Sequence, residues 1–360
     1  MLYRIHIGAV FALLLLAGRP AAAAVRADTT AGDFVIRNFR FASGEVLPEI
    51  RLHYLTLGKP RRDATGKTRN AVLILHGTTG SGRQFLSPSF ANELFGPGQL
   101  LDTTRYYIIL PDGIGHGRSS KPSDGLRARF PRYGYQDMVT AHYRLLTEGL
   151  KVNHLRLVMG TSMGGMHAWV WGKRYPNFID GLVPLASVPT EIAGRNRMMR
   201  KMMIDAIRGD PEWNGGNYSR QPPGLRAALP ILFMMTSSPL QQHRAAPTRE
   251  AADRWITEWM RTRFASTDTN DFLYAFEASH DYDPSPHLER ITAPVLAINS
   301  ADDLVNPPEL GLMERLIPRV RHGRYILIPT SEQTRGHGTH TIAAVWKEHL
   351  EAFLNALPQR

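Results

Sequence analysis

The stretch LRLVMGTSMGGMHAWVW, residues 155–171, decides the fold. An apolar run, LRLVM, ends at Gly160, and a helical pattern, AWVWGKRYP, resumes after Gly165, so GTSMGG must turn the chain from a strand into a helix. A serine between glycines at such a turn is the Gly-x-Ser-x-Gly elbow: neighbouring backbone can crowd in because the glycines have no side chains, and the helix start that follows favours developing negative charge. Ser162 is therefore the candidate nucleophile, against the plainer reading of a polar turn residue.

Working outward, short runs of the fully buried type recur at regular intervals: AVLIL (71–75), YYIIL (106–110), LRLVM (155–159), GLVPLA (181–186), PVLAI (294–298) and YILI (325–328). Helical patterns fall between them near 135–150, 164–175 and 341–357, while 34–41 and 50–57 alternate like half-exposed antiparallel strands. The fold class is thus α/β, a mostly parallel central sheet with crossover helices. The gap at 188–290 exceeds any crossover and changes to Met-, Arg- and Trp-rich segments broken by DPEWNGGNY and QPPG, which reads as an inserted helical lid. The expected division is a core over 28–187, the lid over 188–290, and a second core segment over 291–360.

A hydroxyl nucleophile needs a base, and the base an orienting acid, on loops after later strands. Candidates follow PVLAINS, at Asp302 and Asp303, and follow YILIPTSEQTR, at His337 and His340. His337, in a loop between two glycines, suits a mobile base, whereas His340 falls at the start of the last helical pattern. As a metal pair, His337 and His340 lack a nearby third ligand, so no metal is expected. The oxyanion hole requires two backbone N–H groups, one from the residue after the nucleophile and one from the loop after the third strand, here Met163 and Thr78.

The ends and the charge add limits. Residues 7–18, IGAVFALLLLAG, follow Arg4 and precede PAAAAVRA, the layout of a secretory signal covering 1–24, or to 27. Its core is short of the roughly 20 residues a membrane span needs. Export to the periplasm or medium is expected, with no stable membrane insertion after cleavage. With no cysteine, neither disulfides nor thiolate chemistry is available. The net charge of +11 is scattered, its densest patch at 195–208 lacks stacking aromatics, and no nucleic-acid partner is expected.

Taken together, LHG (75–77), DGIGHGRS (112–119), GTSMGG, SADDLVNPPE (300–309) and GHGTH (336–340) resemble the α/β-hydrolase superfamily. Within it the chain resembles the homoserine O-acetyltransferase family, through YLTLG (54–58), Phe130-Pro131 with Asp137-Met138-Val139, SMGGMHAWVW with Tyr175-Pro176, and DPEW with GNY in the lid. The resemblance implies a Ser-acid-His order. Its loop pattern, an acid, one variable residue and an apolar pair, places the acid at Asp302, with Asp303 the competitor. It also implies a lid arginine holding an acceptor carboxylate, for which Arg195 and Arg197 are candidates, against a reading as solvated surface charges. The chain departs from the family in carrying GHGRSSKPSDG (115–125) where a Gly-Ser-rich segment is usual, and TNDFLYAFEASHDYDPSP (269–286) where an Arg-Phe-Asp stretch is usual. Together with export, which separates the protein from cytoplasmic acyl-CoA, these departures point to hydrolysis of a small-molecule ester without a cofactor. Acyl transfer is the second expectation and a non-catalytic binding protein the third.

Overall fold

The computed structural model describes residues 29–358, so the expected signal segment lies outside the described residues. Eight strands form one sheet in the order β1-β2-β4-β3-β5-β6-β7-β8. The first two, β1 (Thr30–Arg40) and β2 (Val46–Leu57), pair antiparallel with Ile36 opposite Ile50, and β2 pairs antiparallel with β4 (Tyr107–Pro111). Thereafter β3 (Ala71–Leu75), β5 (Leu157–Thr161), β6 (Leu182–Leu185), β7 (Val295–Ser300) and β8 (Gly323–Ile328) run parallel with their neighbours.

Every residue of β3 to β7 is buried. That is why these strands read as continuous apolar runs: helices cover both faces, and strand alternation sends Leu73 into one layer and Val72 and Ile74 into the other. One layer holds α1 (Pro88–Leu94) and α10 (Lys347–Ala356); the other holds α2 (Tyr135–Arg144), the short α9 (Leu312–Leu316) and α3 (Met163–Arg174), whose Trp169 and Trp171 are fully buried. The helix expected over 341–357 starts only at Lys347, after 3₁₀ turns at Gly338–Thr341 and Ala343–Val345. Local bonds hold the first turn tight: Arg335 N–H donates to Thr339 Oγ1 and Thr341 Oγ1 to Gly338 O.

Between β6 and β7 the chain forms α4 (Gly194–Arg208), α5 (Pro223–Thr236), α6 (Pro239–Ala245), α7 (Arg249–Ser266), α8 (Thr269–Glu277) and three 3₁₀ segments, Pro211–Gly216, Ala278–Asp281 and Ser285–Arg290. These helices share a core of their own, with Met199, Met203 and Ile207 against Leu225, Leu229 and Phe272. They sit over the carboxyl ends of the strands, since Val305, just past β7, belongs to that core and Ser123, past β4, bonds Asp271. The strand order reverses at β3, which has β4 on one side and β5 on the other. Loops leaving the two strands diverge there and open a crevice, the place where ligands bind in parallel sheets.

Candidate active site

Ser162 leaves β5 at that crevice with φ 56° and ψ −113°, a left-handed backbone rare for a residue with a side chain. Its neighbours impose the conformation: Ser162 N–H donates to Leu185 O at 2.9 Å and Met166 N–H to Ser162 O at 2.9 Å. A Cβ on Gly160 would collide with the Gly164 carbonyl, and one on Gly164 with the Leu75 carbonyl, so both glycines are required for the turn to close. Met163 opens α3, and its amide is among the N–H groups that a helix start leaves without an intrahelical partner.

The serine meets His337, with Ser162 Oγ and His337 Nε2 2.8 Å apart. The other ring nitrogen, Nδ1, lies 2.9 Å from Asp303 Oδ2. The acid at the histidine is therefore Asp303, and the expected assignment of Asp302 is corrected. The chain turns after β7, with Asp303 N–H on Ser300 O, and this sends the two carboxylates in different directions. Asp303 points inward, 1% exposed, and accepts from Val305 N–H, Asn306 N–H and Asn306 Nδ2 as well as from the histidine. Burial pushes its carboxyl up, but the adjacent His337 and these hydrogen bonds outweigh that, and its pKa lies below the ordinary value. Asp302 instead accepts from Ser300 Oγ, from Thr334 Oγ1 at 3.0 Å and Gly336 N–H at 2.8 Å on the histidine loop, and from Ser238 Oγ at 3.3 Å beside α6.

His340 packs edge-on against His337, ring centroids 5.3 Å apart, and enclosure pulls its pKa down to about 3. It stays neutral, and since both nitrogens of His337 face Ser162 and Asp303, the two histidines do not form a ligand pair.

Thr78 lines the cavity over Ser162, and Gly77 beside it lies so close that a Cβ there would be 3.5 Å from Ser162 Cβ. The histidine of the LHG stretch is a strut: His76 Nδ1–H donates to Gly77 O at 2.8 Å, and Nε2 accepts from Gly113 N–H at 2.9 Å. His116 Nε2 lies 2.6 Å from Thr78 O, so the loops after β3 and β4 brace each other through two buried imidazoles.

A cavity of about 500 Å³ opens on Ser162 and His337. The arginine that α4 turns into it is Arg200; Arg195 and Arg197, the expected pair, are exposed, which corrects that expectation. Helix phase explains the difference: Met199, Met203 and Ile207 form the buried stripe, and Arg200 is the basic residue beside it. Arg200 is 2% exposed, contacts Asn196 Oδ1 at 3.0 Å and Ser279 Oγ at 3.4 Å, and lies over the Phe276 ring at 5.3 Å. No carboxylate among the described residues pairs with it. Burial lowers its pKa from the ordinary guanidinium value, but a guanidinium remains charged across the working range. A second cavity, about 250 Å³, meets the first at Thr78, Thr79 and Gly80 and is lined by polar groups such as Lys121, Ser266 and Asp271. Burial pushes the Asp271 carboxyl up to about 6 against hydrogen bonds from Ser123.

Residues 70–331 match the family model described as alpha/beta hydrolase fold. A probable acyltransferase from Methanothermobacter thermautotrophicus is 30% identical over 295 residues, 81% of this chain and 89% of that protein. A homoserine O-acetyltransferase from Geotalea daltonii is 31% identical over 79% of this chain and 86% of its own. Among solved structures, the homoserine O-acetyltransferase from Bacillus anthracis superposes with a TM-score of 0.79 at 21% identity, covering 91% of this chain and 98% of its own.

Proposed function

The chain belongs to the α/β-hydrolase family, in its homoserine O-acetyltransferase-like branch, and on that premise we propose that it forms an acyl-enzyme on Ser162 and hydrolyses a small-molecule ester. One observation carries the reading: the hydrogen-bonded series Ser162–His337–Asp303 on a strained elbow that faces a cavity. Ser162 Oγ adds to the ester carbonyl carbon as its proton passes to His337 Nε2, and Asp303 holds the ring in the tautomer that can accept it. The oxyanion falls between Met163 N–H and Thr78 N–H. Collapse expels the alcohol, which takes the proton from His337. Water, entering by the polar second cavity, then repeats the sequence and releases the acid. Acid-quenched reactions with an activated ester should show one acyl adduct, on Ser162; an adduct elsewhere rejects the assignment.

A second reading, transfer of the acyl group to a hydroxyl acceptor, is favoured by Arg200. A buried guanidinium without a carboxylate of its own can bind an anionic group on the acceptor or the ester by two parallel charge-assisted hydrogen bonds. Arg200→Met is expected to raise KM for a carboxylate-bearing ester about tenfold to a hundredfold, on the order of 1.5 to 3 kcal/mol for hydrogen bonds to a charged group. A neutral ester of the same size should be little affected, and Arg195→Leu and Arg197→Leu should leave both substrates within about twofold. Equal effects of Arg200→Met on the two esters would remove the anion from this reading. Product analysis with and without an alcohol acceptor separates hydrolysis from transfer.

Export is part of the proposal. No helix of the described residues is long and apolar enough to cross a membrane. N-terminal sequencing of the exported protein is expected to start near Val25 or Asp28. A cytoplasmic protein beginning at Met1 or Leu2 would overturn it and strengthen the acyl-CoA route.

A further inference from the structure

The inner end of the 500 Å³ cavity is polar, with Ser162 and His337. The lid contributes a largely apolar wall, Leu232, Phe233 and Met235 on α5, Trp255 and Trp259 on α7, and Phe276 on α8, with Arg200 over the Phe276 ring and Arg263 over the Trp259 ring. Phe233 sits between the two tryptophans, its ring centroid 5.3 Å from each. Trp255 and Trp259 are four residues apart, one above the other on one face of α7, yet no residue of this 18-residue helix is buried. Two of the largest apolar side chains in the chain thus remain half-exposed. They also line a groove of about 570 Å³ together with Ala245, Ala251, Arg254, Glu258, Thr262 and Arg263. Trp255 and Trp259 line both spaces, with Arg263 beside them, so an indole wall is shared between the cavity at the nucleophile and the surface groove.

A two-carbon acyl group would leave this wall wet. The cavity is in the size class of pockets that bury drug-sized ligands, about 300–1,000 Å³, and its six large apolar side chains offer contact to methylenes beside the polar Thr236, Ser237, Gln242 and Arg263 that share the lining. We propose that the acyl group delivered to Ser162 is a medium-chain aliphatic one of about six to ten carbons, lying along Phe233, Trp255 and Trp259. This rests on the acyl-enzyme reading and adds to it the class of acyl group, which differs from the acetyl group in the names of the relatives. The tryptophans close over the chain and gain the burial that they lack without it, while the carbonyl carbon stays at Ser162.

The test uses p-nitrophenyl esters from acetate to dodecanoate at active-site concentrations fixed by fluorophosphonate titration. kcat/KM is expected to rise about threefold to fourfold per added methylene up to a maximum between hexanoate and decanoate. A profile greatest at acetate and falling from there overturns the proposal. Trp259→Ala and Phe233→Ala should lose at least about tenfold more activity on octanoate than on acetate; equal losses on the two esters overturn it as well. Because the esters could fail through the chemistry alone, binding is read separately. Octanoate ester should quench the tryptophan fluorescence of the Ser162→Ala protein at a concentration at least about tenfold below that needed for butyrate. Indistinguishable binding rejects the acyl tract even if Ser162 proves to be the nucleophile. Tight octanoate binding without turnover of any ester would reject the acyl-enzyme reading and keep the tract.

Discussion

Replacement of Ser162 by alanine is expected to lower kcat/KM on any ester the protein turns over by about 10⁴-fold or more, and to abolish covalent labelling by a fluorophosphonate. The size of the effect follows from how the residues act together. On the proposed mechanism His337 Nε2, 2.8 Å from Ser162 Oγ, accepts the serine proton, and without that oxygen the histidine, Asp303 and the helix start have nothing to activate. What survives is the background from binding and from backbone N–H groups that still polarise a carbonyl. The substitution adds no bulk and the elbow backbone is fixed by Leu185 O and the two glycines, so the variant should fold. Labelling of Ser162→Ala at the wild-type rate would place the reactive nucleophile elsewhere.

The second large effect separates two adjacent carboxylates. Asp303→Asn should lower kcat by about 10³- to 10⁴-fold, and His337→Ala by as much as loss of the serine, while Asp302→Asn should cost about tenfold or less. An asparagine at 303 can turn its Nδ2 toward His337 Nδ1 and donate where the carboxylate accepted. The ring then carries its proton on Nε2, and that nitrogen can no longer take one from Ser162. At 302 the hydrogen bonds from Ser300, Thr334, Gly336 and Ser238 fall on a group that does not touch the imidazole, so the loss is one of loop anchoring. Initial rates of the three variants on one activated ester decide it. A larger loss at 302 than at 303 returns the acid role to Asp302.

Much of this was legible in the chain before any coordinates. The buried strands could be found because a parallel sheet covered on both faces leaves no polar alternation to confuse the pattern, as in AVLIL and VLAINS. The elbow could be found because its requirements are local: two close backbone approaches and a strand-to-helix turn within six residues. Asp302 and Asp303 could not be separated by position alone, since one residue of rotation along the turn sends a carboxylate to the imidazole or to the backbone of the opposite loop. Arg200 was hidden by helix phase. Three arginines within six residues look alike in composition, and only the spacing of Met199, Met203 and Ile207 shows which of them turns inward. The 3₁₀ turn at Gly338–Thr341, ahead of α10, is held by two threonine side chains bonding the local backbone, which periodicity does not register.

The left-handed backbone at Ser162 has a consequence in time as well as in space. A residue with a side chain does not keep φ near 56° by its own preference, so Ser162 holds this conformation only while β6 and α3 grip it on either side. His337 reaches it from 175 positions further along the chain, and Asp303 lies 34 positions before that histidine. A growing or extended polypeptide therefore carries an ordinary serine, no more reactive than any other hydroxyl. On the proposed mechanism Ser162 gains its base only when the C-terminal segment docks, and esterase activity is expected to appear during refolding no earlier than that docking.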